Sequence, residues 1–508
     1  MMIAQSSFEA PGVEWFHLSP IITLVAGALF LLVVGALTPT WPRNLYAAVT
    51  ALVAGAAGVL AMFQWDIITD DAPDGGVDTL LSRALAFDTF AQYLTITVCA
   101  ATLLVALVTA DELHRTGKDG PEIYALFLVA ATGAVVMGAA NDLIVLFLGL
   151  ETLSLALYVL AASDRDRPTS QESGIKYFVL GGFASAFFLY GIALIYGGTQ
   201  STNIGEIIES FQGSVLIDGQ DTIVLAGIAL LIVGLAFKVA AVPFHVWTPD
   251  VYQGSPTNVT AFMASVGKAG AFAAMLRVLV IALPFQRDDW RPVIWVLAVL
   301  SLVVGSVLAV VQTDVKRMLA YSSVSHAGFI LVGVEAAGHT AGELDAGDGM
   351  PSVLTYLLLY SVLTVGSFAV VGLVGRSNGG DTSLDAFKGL AKRRPAIVVG
   401  LTVFLLAQAG VPLTSGFVAK WGVIQAAVEE ESYAIAIIAM LAAVIAAFLY
   451  LRIMVNAWLE PSEADVVDEP VPFATGLAVF AAAAFTIAIG VFPGWLLDAA
   501  DTVTQYAR

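Results

Sequence analysis

Charged residues are what the sequence has least of. Only 12% of the 508 residues are Asp, Glu, Lys or Arg, whereas 58% are hydrophobic. A typical soluble domain carries about 25% charged residues. A membrane-spanning helix needs about 20 apolar residues, and most of the chain divides into such segments. No polar stretch between them is long enough to bury a core of its own, which excludes a separate soluble domain.

Cysteine and basic residues are also scarce. A single thiol, Cys99, excludes an internal disulfide and a cysteine-rich metal or iron–sulfur site. The 22 Lys and Arg against 41 Asp and Glu give a formal net charge of −19, which disfavours nucleic acid as a partner. The acids lie mostly in loops, where solvation explains them. The acidic start of the chain lacks the basic region of a cleavable signal peptide, so the first apolar helix is expected to be retained.

The apolar segments predict an all-α polytopic membrane protein of about fourteen transmembrane helices, surrounded by lipids. Their approximate bounds are 18–37, 43–63, 88–109, 122–139, 142–161, 174–197, 221–243, 256–283, 292–312, 318–336, 351–375, 396–428, 433–457 and 473–496. The twelfth segment is too long for one straight span. The seventh runs into Pro243 and stays apolar beyond it.

The loops differ in their content of basic residues, which concentrate on the cytoplasmic side of membrane proteins. The odd-numbered loops hold twelve: Arg43, Arg115, Lys118, Arg165, Arg167, Lys316, Arg317, Arg376, Lys388, Lys392, Arg393 and Arg394. The even-numbered loops hold three: Arg83, Arg287 and Arg291. The odd-numbered loops are therefore predicted to be cytoplasmic, and both termini to lie on the outer side.

Several ionisable residues remain in or beside the apolar segments: Glu151, Lys176, Lys238, Lys268, Arg277, His326, Lys420 and Arg452. Each ionised side chain at bilayer depth costs about 2.5–3.5 kcal/mol. Unpaired, five or six of them would cost more than a typical net folding stability. They must pair, be hydrated or lose their charge, and a lysine that loses its charge near neutral pH can carry a proton.

Three of these residues have a structural explanation that is at least as good as a functional one. Lys176 begins its span, so its side chain can extend to the interface. Arg277 lies late in its span and is expected to be able to reach the outer surface. Arg452 lies in mid-segment, but arginine keeps its proton, so it can only tune its neighbours.

Glu151, Lys238, Lys268 and Lys420 are predicted to be functional, because each is embedded in apolar or small residues. His326 lies on a hydroxyl-rich helix face that can carry a proton chain, although a structural histidine is the alternative. His245 follows a proline break. The other histidines, His17, His114 and His339, are interpreted as solvated, and no two histidines have the spacing of metal ligands.

Proline interrupts the seventh and twelfth spans, at Pro243 and Pro412. Proline removes a helical hydrogen bond, and discontinuous helices at corresponding places are typical of transporters built from repeats. The spacing predicts two five-helix units, spans 4–8 and 9–13, and an odd number of helices inverts the second unit. The predicted division is 1–121 for three N-terminal helices, 122–283 and 284–457 for the repeats, and 458–508 for a C-terminal loop and last helix.

Three motifs resemble those of a known family. Residues 243–257 (PFHVWTPDVYQGSPT) and 314–328 (DVKRMLAYSSVSHAG) resemble the antiporter-like membrane subunits of respiratory complex I, the proton-pumping NADH:quinone oxidoreductase, and of the Mrp cation/proton antiporters. Residues 172–185 (ESGIKYFVLGGFAS) resemble the N-type subunits in particular. The chain also ends soon after its last span, unlike the L-type subunits, and has Lys420 where M-type subunits typically have glutamate.

The resemblance implies roles for individual residues. Glu151 would pair with Lys238, Lys268 would be the central lysine, and Lys420 would stand at the exit branch. Asn258 departs from the family pattern, which more often has proline there. The implied function is proton transfer across a bacterial plasma membrane, coupled to quinone reduction elsewhere.

The resemblance also implies partners and cofactors. The partners would be the M-, L-, K-, J- and A-type membrane subunits. This chain would bind no cofactor, and NADH, FMN, iron–sulfur clusters and quinone would be used by other subunits. The alternative is a subunit of an Mrp-type sodium/proton antiporter.

Overall fold

The computed structural model describes residues 12–38, 41–42, 44–71, 78–115, 120–213, 220–343, 347–461 and 470–506. The first helices are α1 (Ser19–Leu37), α2 (Leu45–Asp71), α3 (Thr89–Arg115), α4 (Pro121–Ala139), α5 (Leu143–Ala161), α6 (Pro168–Thr199), α7 (Ile204–Gly213), α8 (Gln220–Val239), α9 (Thr248–Gly254), α10 (Thr257–Phe262) and α11 (Lys268–Met275). They are followed by α12 (Arg287–Val310), α13 (Val315–His339), α14 (Gly349–Ser377), α15 (Leu390–Arg393), α16 (Pro395–Ala409), α17 (Ser415–Glu429), α18 (Tyr433–Trp458), α19 (Phe473–Val491) and α20 (Gly494–Tyr506).

The prediction of an all-α polytopic membrane protein is confirmed. Thirteen helices of the described chain are long and apolar enough to cross a membrane, with Thr257–Ala282 as one of them. This span is not a plain α-helix, because the π-helical segments Met263–Gly267 and Leu276–Ala282 flank α11. The remaining predicted span, the twelfth, is divided into α16 and α17. Two short helices, α7 and α20, and a small antiparallel hairpin of Asp78–Leu80 and Leu85–Phe87 were not predicted.

The helices differ sharply in burial. The span Thr257–Ala282 and helices α13 and α14 are almost entirely enclosed by other helices. Helices α6 and α18 instead expose large apolar side chains along their outer faces, among them Phe183 and Val444. In a lipid solvent apolar exposure costs little, whereas each polar group must find a partner inside the protein. Polar side chains of the enclosed helices are therefore the ones that define a site.

Two helices end in the same way within the transmembrane region. Ala240 after α8 and Gly410 after α16 both adopt left-handed backbone, with φ of 62° and 88°. In each case the next residue donates its N–H to the carbonyl five residues back, at 2.8 Å after α8 and 3.0 Å after α16. This is the Schellman pattern that closes a helix end. The predicted breaks at Pro243 and Pro412 follow directly.

Two helix starts also match. Asp142 and Asp314 precede α5 and α13, and their carboxylates accept backbone N–H groups of the first turn. Thr202 donates its hydroxyl to Asp142 at 2.7 Å, and Thr382 donates to Asp314 at 2.7 Å. The residue after each aspartate donates its N–H to the carbonyl of the same threonine, at 2.8 Å in both cases. The two starts therefore share one local structure.

The matching starts lie at opposite membrane faces. Asp142 lies at the beginning of α5, beside the hairpin loop of Arg83, whose carbonyl accepts from Asn141. Asp314 lines a cavity together with Asp164, which follows the far end of α5. Nineteen helical residues separate the two faces along α5, about 28 Å at 1.5 Å per residue. The matched local structures therefore lie at opposite ends of the helix bundle.

Candidate functional site

Glu151 and Lys238 lie near each other but do not form a direct ion pair among the described residues. Lys238, only 6% exposed, donates to Ser154 Oγ at 2.6 Å. Ser154 is one turn beyond Glu151 on α5, so the two contacts lie on one helix face. Glu151 accepts a hydrogen bond from Ser185 of α6. In place of the predicted direct ion pair, Lys238 and Glu151 therefore each bind a serine hydroxyl, that of Ser154 and that of Ser185.

A small cavity of about 10 Å³ lies among α5, α6 and α8, and its lining includes Lys238, Tyr158 and Ser185. That volume is near the minimum for one water molecule, and its walls offer polar partners. The Lys238 Nζ also lies 5.6 Å and 5.4 Å from the ring centroids of Tyr158 and Tyr177. Aromatic faces attract a cation without removing its proton. The partners of Lys238 are therefore neutral, and the cavity beside it can hold a water molecule. Glu151 is one helical turn from Ser154, the serine that Lys238 binds.

Aromatic side chains fill the space between Lys238 and the next lysine. The Tyr177 ring stacks on Trp247, with centroids 4.4 Å apart, and Trp247 meets Tyr252 at 6.1 Å. Tyr252 in turn interacts through its hydroxyl with Ser323 on α13. All three aromatic residues are buried. They connect the two lysine sites through packed rings that carry hydroxyl groups at both ends.

Lys268 lies in the enclosed span Thr257–Ala282 and is 2% exposed. It is the first residue of α11, immediately after the π-helical segment Met263–Gly267. Its Nζ donates to the Ser323 carbonyl and lies 5.6 Å from the Tyr360 ring centroid. The Tyr360 hydroxyl donates to Ser323 Oγ at 2.9 Å. Rare π-helical turns are frequent at functional sites because they redirect a side chain from the regular helix face.

His326 bridges two tyrosines. Its Nδ1 lies 2.6 Å from the Tyr356 hydroxyl and its Nε2 3.2 Å from the Tyr450 hydroxyl. The Tyr450 hydroxyl is also 2.6 Å from Ser322 Oγ. With both ring nitrogens bonded to groups that can donate or accept, the imidazole can exchange tautomers and pass a proton. The hydroxyl-rich face expected from the sequence is present, but tyrosines of neighbouring helices complete it.

Lys420 lies on α17, beyond the second break, and is 5% exposed. Its Nζ donates to the Ala409 carbonyl at 3.2 Å and lies 4.7 Å from the Phe329 ring centroid. Ala409 is the last residue of α16, so the break supplies the carbonyl that the lysine uses. His245, after the first break, is half-buried with its ring 6.4 Å from that of Tyr321, and its described contacts do not reach the lysines.

Two other basic residues, Lys176 and Arg452, have structural partners. Lys176 is half-exposed and pairs with Glu172 at 2.7 Å and Asp250 at 2.8 Å, consistent with extension to the interface. Arg452 donates to the carbonyls of Val310 and Gln312, each at 2.9 Å, at the C-terminal end of α12. A cation is favourable at a helix C-terminus.

The expectation that Arg277 could reach the surface was wrong, because it is 3% exposed. Its guanidinium makes two contacts of 2.7 Å with the carboxylate of Asp88, which is fully buried, and its Nε donates to the Gly138 carbonyl at 2.8 Å. Sequence reasoning missed Asp88, which stands just before the apolar run of α3. This ion pair joins the start of α3 to the second π-helical segment, and so holds the span that contains Lys268 in position.

A cavity of about 790 Å³ opens where the odd-numbered loops meet and is lined by both acids and bases, including Asp250 and Lys316. Lys316, one of the basic residues assigned to the odd-numbered loops, is 4% exposed and donates to the Ser255 carbonyl at 2.6 Å. Burial raises the pKa of Asp250, which lies on the short helix α9. Hydrogen bonds from Lys176 and Arg317 outweigh that effect, and the net pKa lies below that of an ordinary aspartate. Asp250 is therefore charged at neutral pH.

Within the described part of the chain, no group of three or more His, Cys, Asp or Glu could hold a metal ion. The buried polar line instead consists of isolated lysines joined by serine, tyrosine and histidine. The serine, tyrosine and histidine side chains can both donate and accept hydrogen bonds, and a lysine amine can accept one once it has lost its proton, so this line of groups can support proton transfer.

Comparison with known proteins identifies the family. Residues 140–446 match the family described as NADH:quinone oxidoreductase/Mrp antiporter, TM. NADH-quinone oxidoreductase subunit N 3 of Streptomyces griseus is 38% identical over 99% of this chain and 96% of its own length. A chain of respiratory complex I from Thermus thermophilus is 30% identical, with a TM-score of 0.77 over 94% of this chain and 98% of that one.

The Mrp complex of Dietzia sp. DQ12-45-1b contains a chain with a TM-score of 0.82 over 97% of both chains, but with 23% identity. That likeness shows the fold and no more. Full-length identity to N-type subunits, together with the three motifs, favours the first interpretation over the Mrp alternative. The chain belongs to the N-type, antiporter-like membrane subunits of NADH-quinone oxidoreductase.

Proposed function

We propose that this chain carries protons across the membrane along Glu151, Lys238, Lys268, His326 and Lys420. The observation that supports it best is the kind of hydrogen-bond partner that the three lysines have. Each is buried, and each donates to one neutral oxygen rather than to a carboxylate: a serine hydroxyl or a backbone carbonyl. A buried ammonium needs a close counter-ion to offset its desolvation. Without one, the amine can exist in either protonation state, as a proton carrier must.

Glu151 controls the first lysine in this proposal. It stands one turn from Ser154 and attracts the ammonium form of Lys238 without binding it directly. A change of charge in a neighbouring subunit would alter this attraction and release the proton. The proton then passes by way of hydroxyl groups and water to Lys268, and through His326 to Lys420 at the exit branch. We place His245 at the entrance side, because it adjoins the first break.

The energy comes from outside this chain. We infer that quinone reduction, with NADH, FMN and iron–sulfur clusters in other subunits, provides the charge change that this chain receives. The M- and L-type subunits and the small K-, J- and A-type subunits are the proposed membrane partners. The exposed apolar faces of α6 and α18 are available for such subunits or for lipid.

The repeat and the orientation are part of the same proposal. Residues 122–283 and 284–457 would form the inverted units, supported by the paired aspartate starts and the paired helix breaks. The basic loops would face the cytoplasm of a bacterial plasma membrane, with both termini outside. The wide cavity between those loops then opens to the cytoplasm and supplies protons to the buried line.

The test replaces Lys238 in the assembled complex. Lys238→Met keeps the length of the side chain but removes the titratable amine, and NADH-driven, quinone-dependent proton uptake by membrane vesicles should be largely lost. Lys238→Arg should fail as well, because guanidinium retains its proton at physiological pH. Subunit content of the membranes checks assembly, and Lys388→Arg, at the half-exposed pair with Asp385, provides the matched control. An assembled Lys238→Arg complex that pumps normally would make Lys238 a structural partner of Glu151 and refute the path through it.

A further inference from the structure

A second buried acid, Glu335, lies at the opposite end of α13 from the basic loops. It is 3% exposed and sits within an apolar run four residues before the helix ends. Its Oε1 lies 3.1 Å from His339 Nε2 and 3.6 Å from Arg291 Nε, and it accepts from Ser432 Oγ at 3.3 Å. The Oε2 is buried and has no hydrogen-bond partner among the described residues. Oε1 of this carboxylate therefore has three polar neighbours, whereas Oε2 has none among the described residues and can accept a proton.

His339 connects this acid to a more exposed one. Its Nε2 faces Glu335, and its Nδ1 lies 3.9 Å from Glu430 Oε2, just after α17. The side-chain exposure rises along the series, from 4% for Glu335 to 22% for His339 and 24% for Glu430. Arg291, at 27%, is the cation beside Glu335. The three titratable groups thus lead from the interior to the surface, with an imidazole between two carboxylates.

The cluster lies at the end of the helix pair that holds Lys420. Helices α13 and α17 run side by side in the same direction: Lys420 lies on Phe329 near their middle, and Glu430 meets His339 at their ends. Between these points Val423 packs against Gly333, where an added Cβ would be 3.0 Å from the valine. Ten residues of helix separate Lys420 from Glu430, about 15 Å at 1.5 Å per residue. A proton leaving Lys420 in this direction meets Glu335 as the next buried acid on α13.

We propose that Glu335, His339 and Glu430 form a proton-release relay downstream of Lys420. Glu335 takes up the proton on its carboxylate and passes it from Oε1 to His339 Nε2. The imidazole gives its Nδ1 proton to Glu430 through one bridging water, because 3.9 Å is too long for a direct hydrogen bond, and Glu430 releases the proton to solvent. One proton enters and one leaves, and the imidazole resets by exchanging tautomers through solvent. Arg291 stabilises the ionised Glu335 between transfers. This inference rests on the proposed function, because it assigns the exit of the same path.

The experiment measures protons taken up by inverted vesicles per NADH oxidised, in the assembled complex. Glu335→Gln removes the acceptor, and its ratio should fall toward that of Lys238→Met. His339→Ala should fall similarly and recover when the vesicles are prepared in imidazole, since free imidazole can occupy the vacated site and exchange protons. Glu343→Gln is the matched control, because Glu343 pairs with Arg287 at the same rim and is half-exposed; its ratio should stay unchanged.

His339→Gln separates a relay from a structural contact. Glutamine can still donate a hydrogen bond to Glu335 but cannot pass a proton, so a relay predicts loss and a structural role predicts full activity. Normal pumping by Glu335→Gln or His339→Gln, or a His339→Ala defect that imidazole does not relieve, would overturn the relay. If Lys238→Arg fails while these variants pump normally, only the exit assignment is wrong. If Lys238→Arg also pumps normally, the proposed function itself is refuted.

Discussion

The two halves of the molecule share helix ends but place their lysines differently. Both halves break a helix with a left-handed residue, Ala240 in the first and Gly410 in the second. Lys238 lies two residues before the first break, where the second half has Gln408. Lys420 lies ten residues after the second break, where the first half has Asp250. In the first half the lysine therefore precedes the helix break, and in the second half the lysine follows it.

The aspartate starts lead to a similar conclusion for α5 and α13. Counted from Asp142 and Asp314, Glu151 corresponds to Ser323 and Ser154 corresponds to His326. Ionisable groups recur on the expected helices, but they occupy neighbouring turns rather than equivalent ones. The comparison teaches that two helix starts with the same local structure can be followed by different titratable groups.

The largest difference between the halves should appear when the residues before the breaks are replaced. Lys238→Gln should abolish proton uptake by vesicles, because it gives the first half the residue of the second and removes an amine. Gln408→Leu removes only the 2.6 Å bond to Ser367, worth about 0.5–1.5 kcal/mol, and should leave uptake near that of the native chain. An equally severe loss in Gln408→Leu would mean that both positions carry protons.

The aspartate starts should respond alike. Asp142→Ala and Asp314→Ala each remove a side-chain cap, and loss of such a cap costs about 0.5–2 kcal/mol. We expect both to lower the thermal midpoint of the detergent-purified complex by comparable amounts, because each aspartate bonds first-turn N–H groups and a threonine. Asp142→Asn and Asp314→Asn, which can still cap, are the matched controls. A large loss in one variant and none in the other would break the structural equivalence.

The smallest effect should distinguish the two left-handed residues. A non-glycine residue in this conformation is strained by roughly 1–2 kcal/mol, so Ala240→Gly should relieve strain while losing one buried methyl group, with little net change. Gly410→Ala adds that strain and brings the new Cβ to 3.0 Å from Lys420 Cδ. Thermal inactivation of the complex should therefore be unaffected by the first change and faster with the second. Equal behaviour would show that Gly410 is not constrained by Lys420.

Local patterns in the sequence were sufficient for the spans and for the presence of lysines inside them. A long apolar run predicts a helix whatever its neighbours are, and a charge inside it is conspicuous. Glu335 lies in such a run as well, and its charge is as conspicuous there as that of Glu151. The division of the twelfth span was suggested by its length and by Pro412.

Pairings between distant residues were not predictable in this way. Asp88 and Arg277 are 189 positions apart, and no spacing rule brings them together. The tyrosines around His326 come from α14 and α18, so its surroundings depend on packing rather than on its own helix. Lys316 lies two residues after Asp314 and is assigned to a loop by the sequence, yet the fold covers it. Burial at helix ends is decided by the tertiary structure.

The π-helical segments on either side of α11 have a consequence for how this span tolerates insertions and deletions. A π turn contains one residue more than an α turn, so Met263–Gly267 and Leu276–Ala282 each accommodate surplus chain. Removing the surplus residue from either segment would restore a regular α turn there and leave the helix beyond it in its original rotation. Deleting a residue within α11 would instead rotate Arg277 relative to Lys268 by about 100°. Single-residue length changes should therefore be tolerated in the π-helical segments and be far rarer in α11.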